Sequence, residues 1–336
     1  MKAQLLLDSG TFVIALVSVL LCTPLVRRLA SHVGMLDEMG ERRMHEVPKP
    51  RIGGIAVYLG FAFALFSAAG VALSYNRFGG QETHSLLGLL FGCTLILCVG
   101  VWDDIMGMKP RAKFLAQIIV ALISMLYGFR IDGFANPLGH GEWISLPLWF
   151  QIPMTLVWYL GMMNAINFID GLDGLLPGVT AICGAFMFAI ALMKGHAVVA
   201  IVLIALVGAT IGFLPYNFNP AKIILGDSGA LFIGFVFATA SVIGESKGAV
   251  TISLLVPVIV LALPILDTAA TIIRRTSSGR KITDADRGHF HHQLIFRFGL
   301  NVKQAVLLIY AVCFALGAIA LLLSGGVGSF RLASTF

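Results

Sequence analysis

Residues 196–216 read HAVVAIVLIALVGATIGFLPY and contain no aspartate, glutamate, lysine or arginine. An α-helix of about 20 apolar residues crosses the roughly 30 Å hydrocarbon core of a bilayer, so this run predicts a membrane-spanning helix. Runs of the same kind recur along the chain and predict about ten spanning helices. They lie near residues 11–29, 52–74, 85–102, 113–129, 148–168, 174–193, 196–216, 229–244, 249–273 and 303–324.

The composition of the 336-residue chain excludes a soluble globular protein. Hydrophobic residues make up 58% of the sequence and charged residues 12%, whereas a soluble domain carries roughly 25% charged residues. Because the apolar excess extends over the whole length, we predict an all-α polytopic integral membrane protein in which residues 1–336 form one membrane-embedded domain. The cysteines lie in apolar stretches without a Cys-x-x-Cys pair, which indicates neither a disulfide framework nor a thiolate metal site.

The loop charges predict the orientation of the chain. Of the 23 lysine and arginine residues, 17 follow or flank the odd-numbered runs. By the positive-inside rule the segments after these runs face the cytoplasm and both termini are extracytoplasmic, as expected for a multi-pass protein of the plasma (inner) membrane. Basic loops beside anionic lipid head groups account for the net charge of +6 without a nucleic-acid partner. The extracytoplasmic loop over residues 130–147 is rich in turn-forming residues and predicts a hairpin.

Five acidic residues fall at the ends of the apolar runs. Asp103 and Asp104 end the third run, Asp170 and Asp173 follow the fifth, and Asp227 precedes the eighth. The predicted topology places all these ends on the cytoplasmic face. Each acid alone could be a solvated helix end, but clustered carboxylates repel one another unless a cation neutralises them. The pattern therefore predicts a shared metal site within a cytoplasmic active site.

Residues 164–174 read NAINFIDGLDG, with a polar side chain at every third position at the end of an apolar run. Steps of three residues keep neighbours within about 60° on a helix, so Asn164, Asn167 and Asp170 share one broad face. A polar helix end closed by glycine is the ordinary explanation. The regular spacing of the polar residues favours a binding face instead.

Two further residues carry a functional and an ordinary explanation each. Asp227 is either the cap of the helix that follows it or a ligand of Mg²⁺, which typically takes one or two carboxylates together with substrate phosphate oxygens. Lys113 begins the fourth run, where it could extend to the lipid head groups or bind a phosphate.

The last long cytoplasmic segment contains residues 287–292, which read RGHFHH. Three neighbouring histidines could bind zinc, although no cysteine or further histidine lies nearby in the sequence. A solvated basic loop is the ordinary alternative. Presented to a diphosphate, the histidines and Arg287 would donate charge-assisted hydrogen bonds as a leaving group departs.

Taken in order, these motifs resemble the polyprenyl-phosphate N-acetylhexosamine-1-phosphate transferases, and the resemblance covers nearly the whole chain. It implies transfer of a sugar 1-phosphate from a UDP-sugar to undecaprenyl phosphate, with release of UMP and with Mg²⁺ as cofactor or Mn²⁺ as its substitute. The matching residues are His45, Pro50, Arg51, Gly53, Gly54, Asp103, Asp104, the segment 164–174, Gly226, Asp227, Arg287 and the segment 289–292.

The His-Phe-His-His form after an arginine resembles the branch that uses UDP-N-acetylglucosamine. That branch starts teichoic acid linkage units, O antigen or related envelope glycans, while UDP-N-acetylmuramoyl-pentapeptide is the alternative donor. The sequence departs from the family pattern at two places. Ile224 stands where relatives often have an aromatic residue that stacks on uracil, and the order Ser228-Gly-Ala230 replaces Ala-Gly-Ser.

The resemblance also implies roles for single residues. Asp227 and Asn167 would hold Mg²⁺, and Asp103 or Asp104 would orient or deprotonate the lipid phosphate. A covalent aspartyl-phosphate on one of the latter two stays open as an alternative to direct displacement. The predicted catalytic residues are Asp103, Asp104, Asp170, Asp173, His289, His291 and His292. The predicted substrate-binding residues are Lys113, Asn164, Asn217, Arg287 and His45.

A secondary transporter is the competing class, because it too would be an apolar chain of about ten spans. Transporters place ionisable sites near the bilayer midplane between repeated halves, whereas these acids lie at one face and no repeat is visible. The expected partners are undecaprenyl phosphate, UDP-N-acetylglucosamine and membrane lipids, and a homodimer stays open.

Overall fold

The computed structural model describes residues 2–33, 35, 49–75, 78–135, 143–243, 258–259, 261–277 and 290–326. The described part is almost entirely helical, as the long apolar runs predict. Its helices are α1 (Lys2–Val33), α2 (Gly53–Ser74), α3 (Gly80–Met106), α4 (Pro110–Leu126), α5 (Leu148–Ile169), α6 (Leu175–Met193), α7 (Ala197–Asn217), α8 (Gly226–Ile243), α9 (Ala262–Ser277), α10 (Phe290–Phe296) and α11 (Val302–Gly326).

Eight helices in the described part are long and apolar enough to cross a membrane: α1, α2, α3, α5, α6, α7, α8 and α11. The protein is therefore a polytopic integral membrane protein. Helix α4 has 17 residues and α9 has 16. Both coincide with predicted spans, although the one over 249–273 extends outside the described residues. The total of ten spans and the orientation of the termini remain predictions.

The predicted extracytoplasmic hairpin is confirmed as a hairpin. Strands β1 (Gly133–Ala135) and β2 (Trp143–Ser145) pair antiparallel, with Phe134 opposite Ile144. The hairpin lies between α4 and α5 and leaves the helical character of the domain unchanged.

Helix α8 forms the centre of the bundle. It packs against α2, α3, α5 and α7, and every residue from Ser228 to Val242 is buried. Around it, α1 packs on α2 and α7, α6 packs on α7 and α11, and α4 packs on α3 and α5. A helix that is apolar on all sides is stable only when it is enclosed in this way or faces lipid.

Glycines bring two helices very close to the first turn of α8. A Cβ atom on Gly54 of α2 would lie 2.1 Å from the backbone nitrogen of Gly229, and one on Gly100 of α3 would lie 2.4 Å from the Cα atom of Ser228. Neither position can hold a side chain unless the backbones move apart. The close crossings bring the end of α3 and the start of α2 onto the N-terminus of α8.

The segment before α2 pairs with the segment before α8. The Ile224 N–H donates to the Pro50 carbonyl at 2.8 Å, and the Gly53 and Gly54 N–H groups donate to the carbonyls of Ile224 and Leu225 at 2.9 and 2.8 Å. These bonds fix Arg51 beside the first residues of α8.

Candidate active site

Asp227, the second residue of α8, receives hydrogen bonds and ion pairs from three separate elements. The Asn167 side-chain amide at the end of α5 and the Lys113 ammonium of α4 both bind Oδ1, the lysine at 3.1 Å. The Arg51 guanidinium, just before α2, donates to Oδ2 at 3.2 Å. The carboxylate thus joins elements that lie up to 176 residues apart in the sequence.

Asp104 supplies the cap of α8 from a neighbouring helix. Its two carboxylate oxygens accept the backbone N–H groups of Asp227 at 2.8 Å and Ser228 at 2.9 Å. The Arg51 Nε atom lies 3.3 Å from the same carboxylate, and the Asp104 side chain is fully buried. A helix N-terminus carries free N–H groups and a positive partial charge, so a carboxylate stabilises it.

Asp103 faces the other basic residue of the site. Its Oδ2 atom lies 2.8 Å from the Lys113 ammonium, and its Oδ1 atom accepts the Met108 N–H at 2.6 Å. Lys113 therefore bridges Asp103 and Asp227. We refer to Arg51, Asp103, Asp104, Lys113, Asn167 and Asp227 as the charge cluster.

Asp170 directly follows α5, and its carboxyl group interacts electrostatically with the charge cluster. Burial, together with repulsion from the Asp227 carboxylate, raises the pKa of the Asp170 carboxyl to about 8, although Arg51 opposes the shift. The surplus of carboxylates at this end of the bundle is thus only partly neutralised by the basic side chains. An additional cation would lower the repulsion.

Asp173 and Asn217 fix the loop between α5 and α6. The Asp173 Oδ2 atom accepts from Lys49 at 3.3 Å, from the Asn219 amide at 3.2 Å and from the Ala221 N–H at 2.8 Å. Asn217 accepts the Gly174 N–H at 3.0 Å. These contacts hold the loop against the segment that leads into α8.

The charge cluster lies within a region shared with known proteins. The sequence profile of glycosyl transferase family 4 matches residues 86–245, which include every member of the cluster except Arg51. A Bacillus subtilis (strain 168) protein named probable undecaprenyl-phosphate N-acetylglucosaminyl 1-phosphate transferase is 35% identical over 312 residues. The similarity covers 93% of this chain and 84% of that protein.

The chain belongs to glycosyl transferase family 4. A second relative, the decaprenyl-phosphate N-acetylglucosaminephosphotransferase of Mycobacterium tuberculosis (strain ATCC 25618 / H37Rv), is 34% identical over 307 residues, which cover 85% of this chain and 74% of that protein. A phospho-N-acetylmuramoyl-pentapeptide-transferase of Limosilactobacillus fermentum is 33% identical over 202 residues, 58% of this chain and 60% of that protein. The family resemblance inferred from the motifs is confirmed.

In this family 4 member the structure brings most of the predicted site residues to one end of the bundle. Asp103, Asp104, Lys113, Asn167 and Asp227 form direct contacts. Asp170, Asp173 and Asn217 surround them in the adjoining loops, and Asn164 lies one turn further along α5. His45, Arg287 and His289 lie outside the described residues, whereas His291 and His292 are in α10.

Two residues of the site have no role predicted from the sequence. Arg51 belongs to a motif that matches the family pattern, yet only the structure shows that it contacts both Asp104 and Asp227. Gln117, in α4, is fully buried and accepts a hydrogen bond from the Asn164 amide at 2.8 Å. The sequence signal for Gln117 is its position four residues after Lys113, which places both residues on the same face of α4.

The donor atoms of this family 4 member fit a hard cation. Among the described residues no group of three or more His, Cys, Asp and Glu side chains could hold a metal ion. A closed zinc site is therefore absent from them. A Mg²⁺ site needs fewer protein ligands, because one or two carboxylates, waters and substrate phosphate oxygens usually complete its coordination shell. Asp227 supplies carboxylate oxygens of this kind beside the only partly neutralised acids, and Asn167, whose amide nitrogen donates to Asp227, carries a further side-chain oxygen.

Proposed function

We propose that the protein transfers N-acetylglucosamine 1-phosphate from UDP-N-acetylglucosamine to undecaprenyl phosphate and releases UMP. The names of the Bacillus subtilis and Mycobacterium tuberculosis relatives support a polyprenyl phosphate acceptor and an N-acetylglucosamine donor. The observation that carries the proposal is the convergence of Arg51, Lys113 and the acidic side chains on the N-terminus of α8.

The charge cluster suits a substrate that carries phosphates. Guanidinium and ammonium groups form charge-assisted hydrogen bonds with phosphate oxygens. Lys113 and Arg51 form ion pairs with carboxylates in the structure. Both side chains are partly exposed, Lys113 at 17% and Arg51 at 30%. Each can therefore exchange a carboxylate for an incoming phosphate while it stays in the site.

The proposed reaction is a direct displacement. An oxygen of the lipid phosphate forms a bond to the sugar-linked phosphorus, and the bond from that phosphorus to the bridging oxygen breaks. UMP leaves with the electron pair of the broken bond. Most of the rate enhancement in phosphoryl transfer comes from positioning and neutralisation of charge. Lys113 and Arg51 supply both, because each is itself fixed by two carboxylates.

Mg²⁺ is the proposed cofactor, with Asp227 and Asn167 as its protein ligands. When bound, it would neutralise the diphosphate and stabilise the charge that develops on the leaving UMP. Asp103 would orient the acceptor through Lys113, a role supported by the ion pair between the two side chains at 2.8 Å.

A covalent intermediate on Asp104 is disfavoured by its contacts. Both carboxylate oxygens accept N–H groups of α8. A nucleophile must reach the phosphorus with a free oxygen. If Asp104→Asn keeps measurable transfer activity, the covalent route through this residue is excluded.

We place the reaction at the cytoplasmic face of the plasma membrane. The basic residues Lys109 and Arg111 follow α3 at the same end as the charge cluster. Excess positive charge marks the cytoplasmic side of bilayer-spanning proteins. This is also the side on which nucleotide sugars are available. The acids therefore lie at one membrane face, unlike the midplane sites expected of a transporter.

UDP-N-acetylmuramoyl-pentapeptide is the second candidate donor. The Limosilactobacillus fermentum relative carries a name of that activity, but its similarity covers 58% of this chain against 93% for the Bacillus subtilis protein. The broader coverage supports N-acetylglucosamine.

The donor is tested by supplying purified protein with undecaprenyl phosphate, Mg²⁺ and one labelled donor at a time. We expect labelled lipid from UDP-N-acetylglucosamine and at least about 100-fold less from the pentapeptide donor, the discrimination available to a site that hydrogen-bonds one sugar. Efficient use of the pentapeptide donor instead would reverse the assignment.

A further inference from the structure

Gln117 is a buried polar residue in a helix that also has an exposed apolar face. Helix α4 presents Phe114, Leu115 and Ile119 to the surroundings, at 48, 58 and 49% exposure, while its inner face carries Gln117 with no exposed surface. A polar side chain that must be held within an apolar helix is costly unless it has a function or a full set of partners.

The hydrogen bonds of Gln117 are incomplete. Its side-chain oxygen accepts from the Asn164 amide at 2.8 Å, but its own Nε2 atom is buried and has no hydrogen-bond partner in the described part of the chain. A buried donor of this kind usually binds water or a ligand. Gln117 can therefore still donate a hydrogen bond to an acceptor group.

Gln117 also determines how Asn164 is oriented. The Asn164 Nδ2 group donates to Gln117 at 2.8 Å and to the Leu160 carbonyl at 2.8 Å. Both amide hydrogens are thereby used, and the orientation of the amide is fixed. Removing the Gln117 oxygen would free one of these hydrogens and allow the amide to rotate.

The pair lies deeper in the membrane than the charge cluster. Lys113 and Asn167 contact Asp227 at the membrane face. Gln117 is four residues beyond Lys113 along α4, and Asn164 is three residues before Asn167 along α5. At 1.5 Å per residue the pair therefore lies about 5 Å further from the aqueous end of the bundle.

This difference in depth matches the different routes by which the two substrates reach the site. A nucleotide sugar approaches the charge cluster from water, whereas a polyprenyl phosphate approaches it from within the bilayer. On the basis of the proposed function, we propose that Gln117 binds the phosphate of the lipid acceptor and that Asn164 holds the Gln117 side chain in place. Gln117 donates its unpartnered N–H to a phosphate oxygen, and the hydrogen bond from Asn164 to the Gln117 Oε1 atom fixes the direction of that N–H.

The test is the kinetic effect of Gln117→Met, which keeps the side-chain volume but removes both polar atoms. We expect the KM for undecaprenyl phosphate to rise by about 10- to 100-fold, the range for a lost hydrogen bond to a charged acceptor. The KM for UDP-N-acetylglucosamine should change by less than about twofold. A purely structural defect would not select one substrate.

A matched control is available at the other end of α5. Gln151 is also buried, donates to the Leu146 carbonyl at 2.6 Å and has an unpartnered Oε1 atom among the described residues. Gln151→Met should leave both KM values unchanged. If both glutamine variants change the lipid KM equally, the effect is general destabilisation and the proposal is overturned.

A double-mutant cycle tests the link to Asn164. Asn164→Leu should raise the lipid KM as well, and adding Gln117→Met should increase it by less than about twofold further, because residues that act as a unit are not additive. Fully additive effects would overturn the positioning role. Should Gln117→Met fail to fold, Gln117→Glu keeps the acceptor for Asn164 and lacks the N–H, and the same selective rise is expected.

Failure of this inference and failure of the proposed function are distinguishable in the same assay. An active wild-type protein whose Gln117 variants keep the normal lipid KM contradicts the role of Gln117 alone. An inactive wild-type protein contradicts the proposed function and, with it, the assignment of a lipid phosphate to Gln117.

Discussion

The two ends of the helical bundle both carry buried charged side chains, but they differ in how many elements meet there. At one end Asp227 receives contacts from α4, from α5 and from the segment before α2. At the other end Asp8 of α1 is bound by Gln4 of the same helix, at 2.9 Å, and its second oxygen is buried without a partner among the described residues. Convergence of elements, more than burial of charge, distinguishes the candidate site.

Helix directions show that Asp8 is remote from the site. The Tyr216 hydroxyl donates to the Leu20 carbonyl at 2.9 Å, so the end of α7 that leads to the site lies beside Leu20. Asp8 is 12 residues before Leu20 in the same helix, a distance of about 18 Å along the axis. Lys194 ends α6, which begins at the site, and its Nζ atom is likewise buried without a hydrogen-bond partner in the described part of the chain.

The largest expected difference is between Asp227→Asn and Asp8→Asn. The first variant removes the negative charge that holds Lys113, Arg51 and the proposed Mg²⁺, and we expect transfer activity to fall at least about 1,000-fold. Asp8→Asn should leave activity within about twofold of wild type. Labelled-lipid formation by both purified proteins measures this. Equal losses in the two variants would show that any buried acid in the bundle matters.

A smaller difference in activity is expected between Lys113→Met at the site and Lys194→Met at the other end of the bundle. Lys113→Met leaves Asp103 and Asp227 without their shared cation and removes a phosphate ligand, so kcat/KM should fall about 100-fold. Lys194→Met should not change kcat/KM, and it should raise the melting temperature because a buried ammonium is removed. Activity that survives Lys113→Met would remove this residue from the proposed mechanism.

The contrast between the ends extends to the glycines of α2. Gly54→Ala should destabilise the protein by about 1–3 kcal/mol, because the new methyl group would overlap the backbone of Gly229. A methyl group on Gly70 would meet no atom of another helix within 4 Å, so Gly70→Ala should change stability by less than about 1 kcal/mol. Thermal unfolding in detergent compares the two variants. A harmless Gly54→Ala would mean that α2 and α8 are not in close contact.

A separate effect concerns the pH dependence of stability without added metal. The pKa of Asp170 is raised to about 8 in the folded protein, above its ordinary value of 3.8. The protonated form is therefore favoured by folding, and its contribution to stability is present below about pH 4 and is lost as the pH rises through about 8. Melting temperatures in chelator should fall over this interval, and Asp170→Asn should flatten the fall. If the melting temperature of Asp170→Asn falls with pH as it does in the wild type, Asp170 is not the group responsible.

Much of the fold could be predicted from the sequence because a bilayer demands long apolar helices. The run over 196–216 matches α7 within one residue. The first run predicts a helix that begins near residue 11, whereas α1 begins at Lys2. The added turns include Gln4 and Asp8, whose side chains form a hydrogen bond with each other. The order of the spans and their approximate ends follow from local sequence. Their packing depends on glycines whose contacts with other helices only the three-dimensional structure shows.

The site was predictable where several polar residues share a motif, as in the segment 164–174. Arg51 contacts an acid 176 residues away, and no local pattern indicates that contact. The sequence allows Asp227 itself to cap α8, but the structure assigns that role to Asp104 of α3. Gln117 is a single polar residue in an apolar run, and its partner lies on another helix.

The most direct test of the proposed function is formation of labelled lipid by the purified wild-type protein from UDP-N-acetylglucosamine and undecaprenyl phosphate. The measurement is made with Mg²⁺, after chelation, and after Mg²⁺ is restored. We expect the product to appear with Mg²⁺, to disappear on chelation and to return when the ion is restored. Product that is independent of divalent metal would contradict the proposed role of Asp227. The absence of labelled lipid with every UDP-sugar tested, from protein shown to be folded, would contradict the proposed function.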